Sequence, residues 1–212
     1  LTQIQQHQGI NPKGVPEADI IAIHQEGNSA CVQVFFIRGH QNWGNKAYFP
    51  QTGNGAEIQE ILEAFIVQFY GNKTPPKRIL LSSKLENTEL VEHLLSKKSS
   101  YKIKISYPQV GEKAILVENA RRNAEEALAR KNSEHANQTK LLKNLATALK
   151  MKTPLNRVEV YDNSHIQGTN AIGGMIVSSP DGFIKNAYRK FNISPSVAQT
   201  GDDLAMMKEV IY

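Results

Sequence analysis

Apolar residues crowd two early runs, 18–24 and 30–38, and the turn signal Glu26-Gly27-Asn28 lies between them. Each run is short and rich in Ala, Ile, Val and Phe, which predicts two strands joined by a tight turn. Gly39–Gly44 turns the chain again, and Asn45–Phe49 predicts a third short strand. An antiparallel meander therefore opens the chain. Ile58, Ile61, Leu62, Phe65, Ile66 and Phe69 then recur at helical spacing, with Gly71 placed to end that helix. Pro75-Pro76 separates it from the expected strand Arg78–Leu81. Leu90, Leu94 and Leu95 predict a second helix, and Tyr101–Ser106 alternates like a strand. Strand, helix and strand in this order suit a small α/β layer, so residues 14–110 are expected to form one α/β module.

From Glu112 to Lys150 the pattern is helical throughout, with two apolar faces. Ala114, Val117, Ala120, Ala124 and Leu128 mark one, and Leu141, Leu142, Leu145 and Leu149 mark the other. The polar middle, Arg130–Lys140, predicts exposure or an interruption, and the segment 111–153 is expected to connect two domains. After Pro154 the strand pattern returns. Arg157–Asp162, Ala171–Ser178 and Phe183–Ile193 predict three antiparallel strands, and Leu204–Ile211 a helix opened by Asp202-Asp203. The fold class expected is mixed α/β. At the other end, Leu1, Ile4 and Gln8 have the spacing of a helix that stops at Gly9. The missing initiator Met and a helix running to Tyr212 suggest a piece of a longer protein.

Composition narrows the class. At 212 residues and 40% hydrophobic, the chain can bury a real core. One cysteine, Cys31, excludes a disulfide framework within the chain and reads as a core thiol. Neither a signal peptide nor an apolar run of membrane-spanning length is visible, so a cytoplasmic protein without a membrane partner is expected. The net charge of +5 is compatible with a polyanionic partner without requiring one.

Candidate chemistry gathers after Pro154. In Val160-Tyr161-Asp162-Asn163-Ser164-His165-Ile166-Gln167-Gly168 an apolar strand delivers Asp162 to its end, and a polar turn follows. A carboxylate fixed on a rigid strand suits a divalent cation as a hard oxygen ligand. In the competing reading, Asp162 caps a turn in which Asn163 and Ser164 bond the local backbone. His165 could orient that carboxylate or a water, or could be a packed histidine. Arg189 and Lys190 lie in Tyr188-Arg189-Lys190-Phe191, where cations could meet phosphates or guard an edge strand. Asp202 and Asp203 suit a helix start, and one of them could supply the second carboxylate of a two-ion site.

Taken together, these stretches resemble a known family. The run from Val160 to Gly168, then Tyr188-Arg189-Lys190-Phe191-Asn192-Ile193, then Gly201-Asp202-Asp203-Leu204-Ala205-Met206-Met207, strongly resembles UvrC, the DNA-cutting component of bacterial UvrABC excinucleases. Ala30–Gly39 and Asn45–Pro50 are similar to the central region of the same family. The resemblance implies nucleotide-excision repair, with partners UvrB, UvrA and damaged DNA. It implies a 5′ cut made by an RNase H-like domain using Mg²⁺ or Mn²⁺, beginning near residue 154. Asp162 matches the first catalytic Asp and metal ligand, and Asp203 a further acidic position. The family usually has Phe-Asp-Ile-Ser-His where this chain has Tyr161-Asp162-Asn163-Ser164-His165. By the same resemblance, a second catalytic Asp, a catalytic His and a DNA-binding helix pair belong beyond Tyr212, so the 212 residues alone are expected to be inactive. Residues 1–13 would be a remnant of a UvrB-binding helical region. A rival reading makes the chain a non-catalytic nucleic-acid or protein-binding module, with Arg38, Arg189 and Lys190 on phosphates.

Overall fold

The computed structural model describes residues 14–53, 55–166, 169–198 and 202–212. The helical remnant expected over residues 1–13 lies outside the described residues. Internal contacts divide the chain into two units, the first ending at Lys131 and the second starting at Asn132. Among the described residues, no helix is long and apolar enough to cross a membrane.

In the first unit the apolar runs become two ten-residue strands, β1 (Glu17–Glu26) and β2 (Ser29–Arg38). Residues 18–23 and 30–35 are buried without a break, because this part of the sheet is covered on its two faces. β3 (Gln41–Tyr48) starts earlier than Asn45, since the turn needs only Gly39 and His40, both with positive φ. Helix α1 (Ile58–Phe69) buries Ile61, Leu62, Ile66 and Phe69. β4 (Arg78–Leu81) then pairs parallel to β1, and β5 (Lys104–Ser106) parallel to β4. The sheet order is β3-β2-β1-β4-β5.

Helix α2 (Thr88–Lys98) is the expected second helix. Val91 and Leu95 are its buried residues, while Leu90 and Leu94 are 63% and 47% exposed. Both pairs have the same i, i+4 spacing, so periodicity could not choose between them.

One face of this sheet packs on α1 and α2 through Ile21, Ile23, Val32, Val34, Leu62 and Ile66, among others. The other face packs Ile20, Ala22, Phe35 and Ile37 against Leu116, Val117 and Ala120. These last three belong to α3 (Glu112–Ala148), which is continuous through its polar middle. Further along, Ala124, Ala127 and Leu128 of α3 pack on Cys31. Burial pushes that thiol up to about 11, as suits an inert core cysteine.

The second unit pairs β6 (Val158–Ile166) antiparallel to β7 (Thr169–Ser179). The third strand expected over Phe183–Ile193 is two pieces: β8 (Gly182–Phe183) and β9 (Arg189–Asn192), both paired to β7. A 3-10 turn at Lys185–Ala187 separates them. Short helix α4 (Pro195–Ala198) precedes α5 (Asp203–Ile211). Met206 and Val210 of α5, four residues apart, close over Ala171 and Ile193, with Tyr161 and Phe191 at the margin. In the same unit Gln138 donates to Ser178 Oγ at 3.0 Å, and His135 lies 3.2 Å from Asp181.

Candidate active site

Asp162 is not at a strand end. It lies in the middle of β6, because the polar run after it continues to pair with β7 instead of turning. Asn163 pairs with Gly173 and Ser164 with Ile172 before the register shifts at His165. The alternation of β6 therefore carries through Asp162, and its two faces can be assigned from the pairing.

Gly173, Asn163 and Tyr161 face α5. A Cβ built on Gly173 would lie 2.5 Å from Val210 Cγ2 and 3.2 Å from Asn163 Oδ1. Asp162 occupies the opposite face with Val160 and Ser164. Around Asp162 that face is exposed, with Val160 52% and its partner Ile176 40% exposed, while at its far end Gln138 of α3 bonds Ser178. Asp162 pairs with Gly174, and Gly174 pairs in turn with Lys190 on β9. Directly paired residues share a face, so carboxylate, glycine and ammonium form one row across three strands. Two strand spacings separate the ends of this row, roughly 10 Å between backbones. Gly174 puts no side chain between them. Asp162 makes no side-chain hydrogen bond or ion pair among the described residues. Its carboxylate oxygens are therefore available to a cation.

The other candidates are placed differently. Asp203 is exposed in the first turn of α5, which covers the face away from Asp162. Asp202 is the N-cap, its Oδ1 accepting from the backbone of Leu204 at 3.0 Å and Ala205 at 3.2 Å. His165 is exposed at the irregularity of β6. Arg189 pairs with Met175 on the α5 side and donates to the carbonyls of Asn186 and Tyr188. Among the described residues, no group of three or more His, Cys, Asp or Glu could hold a metal ion. The row thus offers one free carboxylate, with the chemistry of a hard-cation ligand but not a full ligand set.

Arg38 has a different occupation in the first unit. Its Nη1 donates to Asp19 Oδ1 at 2.8 Å, and Tyr70 Oη donates to Asp19 Oδ2 at 2.7 Å. Asp19 is 2% exposed on the α1 side of β1. Burial raises its carboxyl above the ordinary value, against the opposing pull of Tyr70 and Arg38. Beside Asp162, Arg157 and Tyr161 both bond Glu159, which lowers that carboxyl and raises the Tyr161 hydroxyl.

Comparison with known proteins follows this division. Residues 17–131 match the family model described as UvrC Ribonuclease H-like domain, and residues 146–212 match UvrC RNAse H endonuclease domain. The chain belongs to the UvrC family. A ribonuclease H description thus also covers the first unit, where the sequence suggested only a central module. UvrABC system protein C of Cereibacter sphaeroides is 59% identical over the whole chain, which covers 34% of that relative. The Ruegeria pomeroyi protein of the same name is 56% identical with 34% covered, and that of Rhodopseudomonas palustris BisB18 is 56% identical with 30% covered. The chain spans about a third of the length of these curated relatives.

Sequence reasoning singled out Asp162 as a candidate but not the row it lies in. Gly174 had no signal of its own, and its value lies in what it leaves empty. Lys190 was visible only as one of several cations. Pairing β9 against β7 would have found it, but that needs the register, which the split third strand concealed.

Proposed function

We propose that this chain is part of an excinuclease subunit that incises damaged DNA in nucleotide-excision repair, and that its second unit contributes to the metal-dependent 5′ phosphodiester cut. The observation that carries the reading is the free Asp162 carboxylate in a row with Gly174 and Lys190 on the open face of the β6–β7–β9 sheet. Asp162 would help hold Mg²⁺ or Mn²⁺. When bound, such an ion polarises the phosphate and lowers the pKa of an attacking water. Lys190 would neutralise a phosphate oxygen lying over the glycine gap, positioning the strand without reading its sequence. His165 would orient a water or the carboxylate, and Asp203 would act in a supporting acidic role. Family membership supports UvrB, UvrA and damaged DNA as partners, and a cytoplasmic setting. One carboxylate cannot hold a catalytic ion in place, so the 212 residues alone should not cut DNA.

The test is Asp162→Ala in the full-length protein, with a lesion-bearing duplex as substrate and both incisions resolved on a denaturing gel. The 5′ cut should disappear while the 3′ cut persists. Loss of both cuts in parallel would mean that Asp162 supports folding instead of chemistry. The second reading, a non-catalytic binding module, is favoured by the positive charge alone. It predicts steeply salt-dependent DNA binding and 5′ incision indifferent to Asp162→Ala.

A further inference from the structure

The first unit carries a surface to which the proposed function gives no role. Strand β3 is the outer strand of the five-stranded sheet. Its register against β2 shifts between Phe35 and Ile37, opposite Trp43 and Gly44. Gly44 has φ of 125°, and its N–H donates to Asn42 Oδ1 at 2.9 Å. This bulge interrupts the alternation of an edge strand, a device that re-aims side chains. Trp43 emerges there 74% exposed. Leaving an indole in water forfeits a large apolar burial, so an exposed one invites a binding role.

Lys46 lies on the same strand, and Lys73 reaches it from the segment after α1. Lys46 Nζ lies 5.3 Å from the centre of the Tyr48 ring, and Lys73 Nζ lies 5.8 Å from that centre and 3.6 Å from the Phe69 ring centre. Two ammonium groups therefore converge on one aromatic cluster, completed by Phe65. Neither is ion-paired to a carboxylate among the described residues. Two like charges held together without a counterion favour an anion.

We propose that the β3 edge of the first unit binds single-stranded nucleic acid, with a base stacked on Trp43 and adjacent phosphates on Lys46 and Lys73. Stacking selects an unpaired base, because every base has an aromatic face but a duplex hides it. The lysines select the backbone irrespective of sequence. The choice of ligand rests on the repair role proposed above, for which it is DNA locally opened around a lesion. The inference stands apart from the role given to Asp162 and does not depend on it.

Trp43 is the only tryptophan, so its fluorescence reports this site alone. The experiment titrates the chain with a single-stranded oligodeoxythymidine, and separately with that strand annealed to its complement, without metal. The single strand should quench Trp43, and the duplex should quench it far less. Followed by anisotropy of a labelled strand, Trp43→Ala should weaken binding by on the order of tenfold. Lys46→Gln with Lys73→Gln should flatten the plot of log affinity against log salt by about 1.4, roughly 0.7 for each phosphate no longer neutralised. All three side chains are exposed, so the variants should fold, and circular dichroism checks this. An unquenched Trp43 at saturation, equal quenching by duplex, or an unchanged salt slope overturns the proposal. No binding at all also overturns it and turns attention to a protein surface as the occupant.

Discussion

Adjacent glycines on β7 face opposite sides of one sheet, so the same small substitution should have opposite consequences. Neither has a positive φ, so alanine is compatible with the backbone at both positions. At Gly173 the added methyl would meet Val210 Cγ2 at 2.5 Å and Cγ1 at 3.1 Å. Val210 is β-branched and on a helix, where one rotamer dominates, so it cannot swing aside. Helix α5 must shift instead, and overpacking of this kind costs about 1–3 kcal/mol. At Gly174 the nearest described atom to a new methyl is the Asp162 carbonyl oxygen, at 3.9 Å, an ordinary contact. Gly174→Ala should therefore leave stability unchanged or raise it by about 0.4–1 kcal/mol, because the unfolded chain has less entropy to lose. Yet its methyl enters the gap between Asp162 and Lys190. Urea unfolding of the 212-residue chain would measure the first quantity, and 5′ incision by the full-length protein the second. Gly173→Ala should lower the unfolding midpoint, while Gly174→Ala should keep the midpoint and lose 5′ incision. Equal midpoints would refute the face assignment. Full 5′ incision by Gly174→Ala would refute the claim that the row is used.

Lys190→Gln should slow the 5′ cut about tenfold or more while leaving stability within about 0.5 kcal/mol, since Lys190 is exposed; unaltered incision kinetics would remove it from the site. Asn163 has both side-chain polar atoms buried without a partner among the described residues, so Asn163→Leu should stabilise the second unit by about 1 kcal/mol in denaturant titrations. A destabilised variant would mean that the amide is satisfied by a buried water. The carboxyl of Asp19 sits above its ordinary value, so its contribution is greatest below about pH 3.8 and is lost as pH rises through the raised value. Asp19→Asn should remove that downward step in stability as pH rises above about 3.8, and an unchanged profile would assign the step to another group.

Much of the fold was legible because burial imposes a period on the sequence. β1, β2 and α1 were found within a few residues, since their apolar positions are dictated by the layers that cover them. Leu90 and Leu94 located α2 although its buried stripe is Val91 and Leu95. The failures have specific causes. The split of β8 from β9 depends on one 3-10 turn in a segment with no Pro or Gly between Phe183 and Tyr188 to announce it. Asp162 was read as the end of a strand because polar residues follow it. On an open sheet face, however, polar residues satisfy alternation as well as apolar ones do, and only the partner strand marks the true end.

Each unit holds an antiparallel meander followed by helix, β1-β2-β3 then α1 in the first and β6-β7 with β8 and β9 then α4 and α5 in the second, and this sharpens the meaning of their first-strand carboxylates. No repeat was visible in the sequence, because the shared feature is strand order and not residue identity. Asp19 lies on the face that α1 covers, where Arg38 and Tyr70 take both of its oxygens. Asp162 lies on the face that α5 leaves uncovered, with neither oxygen engaged among the described residues. Desolvation explains the difference in partners: a buried carboxylate must be paired or lose several kcal/mol, whereas an exposed one can wait for a ligand. Strand placement alone therefore does not leave a carboxylate open to a ligand. The face the side chain takes relative to the following helix decides whether a guanidinium or an incoming cation can reach it.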